Sequence, residues 1–185
     1  MAFPQSAAAM ATATVLALAS ANAPYGAPGA VAAAPCVRGE TESRGRSAVD
    51  DGEIRYTETT KFDDLRTHAI TAWNAFRKVD ITPDGATTVN DLEFRDYSRN
   101  TATAAYYERH GGTAQTDYIF LNKYQIDGYY RNEPSMRRNI VVHELGHALG
   151  LCHKSDRVSS ALRTGVSTTQ YPTVVDKANY LKLWG

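Results

Sequence analysis

The segment from His143 to His153, which reads HELGHALGLCH, constrains the fold of this chain more than any other part of the sequence. On an α-helix, residues four positions apart lie one above the other, so His143 and His147 can point two imidazoles at a single ion. Gly150 lets the chain leave the helix through a backbone conformation that other residues resist, and the turn can return His153 as a third ligand. Three protein ligands and one position for water are typical of a catalytic zinc site.

Two further observations favour a metal site over a chance occurrence of the pattern. Glu144 stands beside the first histidine, where a carboxylate serves as the general base of a zinc hydrolase. A helix is predicted independently over residues 134–150, with a proline in its first turn and a glycine as its stop. Its apolar residues lie away from the two histidines: Val141, Leu145, Ala148 and Leu149.

Hydrophobic periodicity predicts helices and strands elsewhere in the chain. Apolar residues recur at three- and four-residue intervals over residues 62–76, which predicts an amphipathic helix with Thr60 as its cap. Residues 54–59 and 116–124 are predicted strands, and the helical spacing at residues 176–184 predicts a closing helix. Strands and helices in this mixture predict an α+β domain.

The first 37 residues differ from the rest because none of them is charged. An apolar run over residues 7–19 leads into an Ala-Ser-Ala sequence of the kind that signal peptidase cuts. We therefore expect a signal peptide or leader at residues 1–37, a polar linker at residues 38–52 and the folded domain at residues 53–185, in a secreted, extracellular protein. A disordered leader on a cytosolic protein stays open, because no basic residue precedes the apolar run.

The charge balance excludes two classes of partner. The 20 basic and 20 acidic side chains cancel, whereas nucleic-acid-binding proteins and polybasic membrane-surface proteins usually carry a basic excess. The apolar run of the leader is also too short and too weak to span a bilayer. We expect neither nucleic acid nor a membrane as a partner.

Cys36 and Cys152 are the two cysteines of the chain, and three arrangements are open for them. Export permits a disulfide, which would fix the turn beside His153. Two unpaired thiols are the second arrangement. A Cys36 thiolate that caps the metal and keeps an enzyme latent is the third.

The HExxHxxGxxH pattern of residues 143–153 resembles the zinc signature of the metzincins, and its Gly-His-Ala-Leu-Gly-Leu run is most similar to the matrixin branch. The short domain also resembles the small secreted snapalysins, which usually have aspartate where this chain has His153. The resemblance implies a twisted mixed sheet with an active-site helix and a C-terminal helix. It also implies that residues 119–122 form the substrate-binding edge strand above the zinc.

The chain departs from the metzincin pattern below the metal. Metzincins place a methionine turn there, but no methionine follows Met136. The Ala161-Leu162-Arg163 sequence puts either Leu162 or Arg163 in the place of that methionine. A charged side chain below the metal would be costly unless it pointed away or found a partner. Metal binding is therefore better supported than activity.

Three further features distinguish this chain from matrixins and from another class of zinc peptidase. His68 and His110 are the histidines left for the second, structural zinc of matrixins, and we interpret both as structural or surface residues, so a single zinc is expected. The sequence around Cys36 matches the cysteine switch of the matrixin prosegment poorly. No glutamate follows Glu144, which excludes the peptidase class that uses a downstream glutamate as third ligand.

These features predict a secreted zinc metalloendopeptidase with one catalytic Zn²⁺ held by His143, His147 and His153. Zinc lowers the pKa of its water to about 7, and Glu144 takes the proton as that water attacks the scissile carbonyl. We expect a monomer that acts on protein or peptide substrates, and the sequence does not decide whether calcium is required. The alternative is a catalytically inactive zinc-binding module of the same fold.

Overall fold

In the computed structural model, which describes residues 31–111 and 115–185, five strands form one mixed sheet. The order of its strands is β2-β1-β3-β5-β4. Neighbours pair in parallel except β4, which runs antiparallel to β5. The strands are β1 (Glu53–Glu58), β2 (Asp80–Pro83), β3 (Leu92–Tyr97), β4 (Ala105–Glu108) and β5 (Asp117–Asn122).

A mixed sheet that carries helices confirms the α+β prediction at that level. The predicted strands at residues 54–59 and 116–124 correspond to β1 and β5. The prediction that residues 119–122 form an edge strand is wrong, because β5 lies between β3 and β4. The edge of the sheet on this side is β4, which pairs with β5 alone.

Three α-helices accompany the sheet: α1 (Asp63–Asn74), α2 (Pro134–Ala148) and α3 (Val174–Trp184). The predicted cap of α1 is wrong, because the helix begins after Phe62 and has no side-chain cap. The Thr60 hydroxyl instead accepts a hydrogen bond from the Phe62 N–H and donates one to Asp96. At α3, Thr173 and Asp176 form a reciprocal capping box, so this helix begins two residues before the predicted start.

Apolar side chains of the sheet pack against α1 and α2. Trp73 of α1 is buried, and its indole N–H donates to the Val142 carbonyl of α2 over 2.9 Å. This hydrogen bond and the surrounding apolar contacts fix α2, the helix that carries two of the three histidines. The sheet contributes the fully buried side chains Ile54, Leu92, Phe94, Ile119 and Leu121.

The segment from Ala34 to Ala48, which we call the N-terminal strap, lies against the end of α2 and the chain that follows it. Backbone N–H groups of the strap donate to three carbonyls there: Val37 to His153, Ser43 to Gly150 and Ala48 to Ala148. Gly150 has a φ of +81°, and a Cβ on it would lie 2.4 Å from the Ser43 carbonyl oxygen. Glycine is therefore required at this position by both its backbone conformation and its close neighbour.

The strap contains most of the predicted linker, residues 38–52, and the end of the predicted leader. Residues 31–185 form one compact unit, so this stretch is part of the folded body. The division into leader, linker and domain stays a prediction, and residues 1–30 of the predicted leader at 1–37 lie outside the described residues.

Cys36 and Cys152 are joined by a disulfide, with their Cα atoms 5.6 Å apart. Of the three arrangements that the sequence leaves open, the structure has the bridge. A disulfide fits a secreted or extracellular protein. Among the described residues, no helix combines the length and hydropathy that a membrane crossing requires.

Candidate metal centre

Three imidazoles meet at the end of α2. His143 and His147 lie one turn apart on this helix, and His153 returns to them after the turn at Gly150. Nε2 of His147 lies 3.0 Å from Nε2 of His143 and 3.2 Å from Nε2 of His153. Zinc–nitrogen bonds of about 2.0–2.1 Å at tetrahedral angles would place ligand nitrogens roughly 3.3 Å apart. The spacing of the three nitrogens therefore fits a tetrahedral zinc ion with one further position.

The other ring nitrogen of each histidine has an acceptor. Nδ1 of His143 lies 3.1 Å from the Ala161 carbonyl oxygen, and Nδ1 of His147 lies 2.9 Å from the Leu151 carbonyl oxygen. Nδ1 of His153 lies 2.9 Å from a carboxylate oxygen of Glu40. Because these oxygens accept, each Nδ1 carries a hydrogen, and Nε2 of each ring faces the other two.

Three imidazole nitrogens this close repel one another unless a cation lies between them. Burial lowers the pKa of His143 well below its ordinary value, and the charges of His147 and His153 lower it further. Burial likewise lowers the pKa of His147 to about 4. Both rings are therefore neutral near pH 7, the form in which imidazole binds zinc. The donor set suits a divalent transition-metal ion such as zinc.

Glu144 follows His143 on α2 and lines the same cleft, with 9% of its surface exposed. Burial raises the pKa of its carboxyl to about 8, and the backbone of Tyr107 acts in the opposite direction. A cation at the three nitrogens would favour the ionised form and lower this pKa. The carboxyl is thus placed to exchange a proton near neutral pH.

Leu162 packs against α2, the helix that carries two of the histidines. Its side chain is fully buried, and its Cδ2 would lie 2.7 Å from a Cβ added to Gly146 on α2. The Arg163 side chain is 38% exposed, and its Nε lies 4.0 Å from Asp156. Of the two residues that the sequence leaves as candidates, Leu162 is therefore the buried one, and Arg163 lies beside a carboxylate.

Two clefts adjoin the imidazoles, and each has a residue of β4 in its wall. One has a volume of about 320 Å³ and is lined by His143, Glu144 and the β4 residue Ala105. The other, of about 410 Å³, is lined by Tyr107 of β4, Arg46 and Arg109. His153 lines both. A peptide extended along β4 would pass the three histidines between the two clefts.

Two buried asparagines hold the walls of the smaller cleft. Asn139 of α2 donates to the carbonyls of Ala161 and Thr169 and accepts from the N–H of Ser167, which fixes the loop after the histidine segment. Asn122 at the end of β5 donates to the carbonyls of Arg99 and Thr103, which fixes the chain leading into β4. Both walls are therefore tied to rigid elements.

The remaining histidines lie away from this centre. His68 contacts the Gln170 carbonyl oxygen and the ring of Tyr171, and His110 pairs with Glu108. Within the described residues, one other group has metal-binding side chains close together, namely Cys36, Glu42 and Cys152. Its two sulfurs are joined to each other, so they offer no thiolate to a metal.

Sequence reasoning missed Glu40, which contacts His153 from the N-terminal strap. It also missed Lys154, which is fully buried and pairs with Glu42. Both glutamates belong to a polar stretch of ordinary linker composition. No local pattern in that stretch indicates partners more than a hundred residues away.

Comparisons with known proteins add little to this geometry. No protein-family model matches the chain, and neither does any curated protein. Solved structures that it resembles include one described as the GM1-bound form of the ECX AB5 holotoxin. The likeness has a TM-score of 0.44 and 12% sequence identity, and it covers 72% of each chain. At this TM-score the likeness carries no argument about fold or function.

Proposed function

We propose that this protein is a secreted zinc-dependent endopeptidase of the metzincin type. The observation that carries the proposal is the convergence of three Nε2 atoms, 3.0 and 3.2 Å apart, beside a buried glutamate in an open cleft. A sheet edge and two clefts adjoin these groups, as a site for an extended polypeptide requires. The Cys36–Cys152 disulfide supports the secreted location.

His143, His147 and His153 would hold the zinc ion. When bound there, zinc supplies Lewis acidity, which makes water more acidic and stabilises negative charge on a carbonyl oxygen. The hydrogen bonds at the three Nδ1 atoms orient the rings toward a common point, so little rearrangement accompanies binding. The carbonyls of Ala161 and Leu151 provide two of these hydrogen bonds.

Glu144 acts as the general base and then as the general acid. Its carboxylate takes a proton from the attacking water and gives it to the amine that leaves when the peptide bond breaks. Burial favours the protonated carboxyl, so the proton is retained during the interval between the two transfers. The amide of glutamine has no basic oxygen for this task, which makes Glu144→Gln the decisive variant.

β4 positions the substrate. As an edge strand, it offers unpaired backbone N–H and C=O groups to an extended peptide, whose side chains then alternate between the clefts. Arg46 and Arg109 line the larger cleft, and neither forms an ion pair within the part of the chain that the structure describes. An acidic substrate side chain would complement this cleft.

The test is digestion of unfolded casein by zinc-loaded protein. We expect cleavage that a chelator stops and added zinc restores, and no cleavage by Glu144→Gln, although this variant keeps its zinc. A folded, zinc-loaded wild type that does not cleave would instead favour a metal-binding module without activity. Near-full activity in Glu144→Gln would refute the assigned base.

A further inference from the structure

Glu40 contacts the third histidine with both of its carboxylate oxygens. Oε1 lies 2.9 Å from Nδ1 of His153, and Oε2 accepts the backbone N–H of the same residue over 2.8 Å. The other two histidines of the centre direct their Nδ1 atoms to neutral backbone carbonyls. His153 is thus the one ring of the three whose orientation depends on a charged side chain.

The N-terminal strap holds Glu40 in this position from both sides of His153. Before the histidine, Cys152 is joined to Cys36 of the strap by the disulfide. After it, the fully buried Lys154 donates to Glu42 over 2.6 Å. The histidine and its two neighbours in sequence are therefore all fastened to one stretch of the strap.

His153 has less support of its own than the other two rings. It lies beyond the end of α2, and its side chain is 34% exposed, whereas His143 is 8% exposed and lies within the helix. A ring on a loop needs a partner to fix its rotation and its tautomer before it can serve as a ligand. Glu40 is the partner that the structure provides.

We propose that Glu40 is a positioning residue for the metal centre and that the N-terminal strap is a working part of that centre. The proposal rests on the proposed metal site. A carboxylate that accepts from the distal nitrogen of a ligating histidine fixes the ring and makes the ligating nitrogen more basic. Loss of such a partner typically weakens metal binding by about 10–100-fold.

The pKa of Glu40 is consistent with an ionised partner. Burial raises this pKa, but the hydrogen bonds from the ring and the backbone of His153 outweigh burial, and the net shift is downward. The carboxylate therefore carries its charge at neutral pH.

The test compares zinc affinity in three variants, by competition with a chromophoric chelator. Glu40→Gln should bind zinc about 10–100-fold more weakly than wild type, and Glu40→Asp should recover part of the loss because the charge returns. Glu108→Gln is the matched control, since it removes a glutamate that pairs with His110 over 2.8 Å outside the metal centre. Its zinc affinity should stay within about twofold of wild type.

Cobalt substitution gives a second readout that a merely structural role would not change. The visible absorption bands of bound Co²⁺ report ligand geometry, and they should shift in Glu40→Gln and remain unchanged in Glu108→Gln. Urea unfolding of the metal-free proteins checks that all variants fold. Equal zinc affinity and equal cobalt spectra in Glu40→Gln and wild type would overturn the inference and leave the proposed function intact. Absence of zinc binding in the wild type would overturn both.

Discussion

The buried ion pair between Lys154 and Glu42 yields a prediction about how firmly the N-terminal strap is held. The Lys154 side chain is fully buried, and its ammonium group donates to Glu42, the Ala34 carbonyl and the Cys152 sulfur. These three acceptors match the three N–H groups of the ammonium, so the charge is paired and its hydrogen-bonding capacity is filled.

Glu42→Gln keeps the shape of the side chain but leaves the buried ammonium without an opposite charge. Breaking a buried pair from one side costs about 3–5 kcal/mol, because an uncompensated charge remains in the interior. Domains of this size have free energies of unfolding of about 5–15 kcal/mol, so the variant should lose a large fraction of its stability. With an m-value of roughly 2 kcal/mol/M, the urea midpoint should fall by roughly 1.5–2.5 M.

Two further variants make the test specific. Glu42→Leu combined with Lys154→Met replaces the pair by apolar side chains of similar size and should recover most of the loss, because no charge remains buried. Lys61→Met removes a cation whose side chain is 54% exposed in an ion pair with Asp127, and it should cost less than about 1 kcal/mol.

Tryptophan fluorescence follows unfolding in each case, since Trp73 is 1% exposed in the folded chain. The reasoning is refuted if the urea midpoint of Glu42→Gln falls no further than that of Lys61→Met. It is also refuted if the apolar double variant is as unstable as Glu42→Gln.

Three other predictions concern the candidate site. In metal-free protein, burial raises the pKa of Glu144 from 4.5 to about 8. Between these two pH values the folded state holds a proton that the unfolded state has released, so the free energy of unfolding falls as the pH rises. Glutamine does not titrate, so the free energy of unfolding of Glu144→Gln, measured by urea titration, should rise relative to that of wild type by on the order of 3 kcal/mol between pH 5 and 8. A difference between the two proteins that does not change with pH would contradict the raised pKa. Gly146→Ala places a Cβ 2.7 Å from Leu162, and overpacking of about 1–3 kcal/mol should exceed the roughly 1 kcal/mol of helix propensity gained, so Tm should fall. Leu162→Ala leaves a cavity and lowers Tm by itself, but in the double variant the two losses should sum to less than their separate values, and strict additivity would contradict the contact. Peptides with an acidic side chain in the larger cleft should be cleaved faster than their lysine counterparts, and Arg46→Glu with Arg109→Glu should reverse this order; an unchanged preference would exclude the two arginines from recognition.

Local patterns suffice for the helix of the candidate site. His143 and His147 are one helical turn apart, and Gly150 precedes His153 by three residues, so the pattern needs no distant contact to be recognised. The structure accordingly brings together the three imidazoles that the spacing predicts. It also shows that Leu162 is the buried residue packed against α2 and that Arg163 is partly exposed, a difference that sequence order alone does not decide.

The edge of the sheet could not be read from local pattern. The sequence of β5 alternates more clearly than that of β4, because alternate residues of β5 are buried. The order of strands in the sheet depends instead on pairing between distant parts of the chain. β4 has four residues and pairs with one neighbour, so its sequence gives little indication that it forms the edge beside the clefts.

The contacts of the N-terminal strap could not be predicted from the sequence either. Glu40 and Glu42 belong to a stretch whose composition is typical of a linker, and their partners His153 and Lys154 lie 113 and 112 positions away. Only the folded chain shows that these charges are paired beside the candidate metal centre.

X-ray absorption at the zinc edge, recorded on wild-type protein with one equivalent of zinc, tests the metal centre most directly. We expect a first shell of nitrogen and oxygen at about 2.0–2.1 Å, with the outer-shell scattering of three imidazoles and no sulfur. The His153→Ala variant should show two imidazoles and a zinc affinity weaker by orders of magnitude. A sulfur shell at about 2.3 Å would place the metal at Cys36 and Cys152 instead, and a failure to retain zinc would contradict the metal centre altogether.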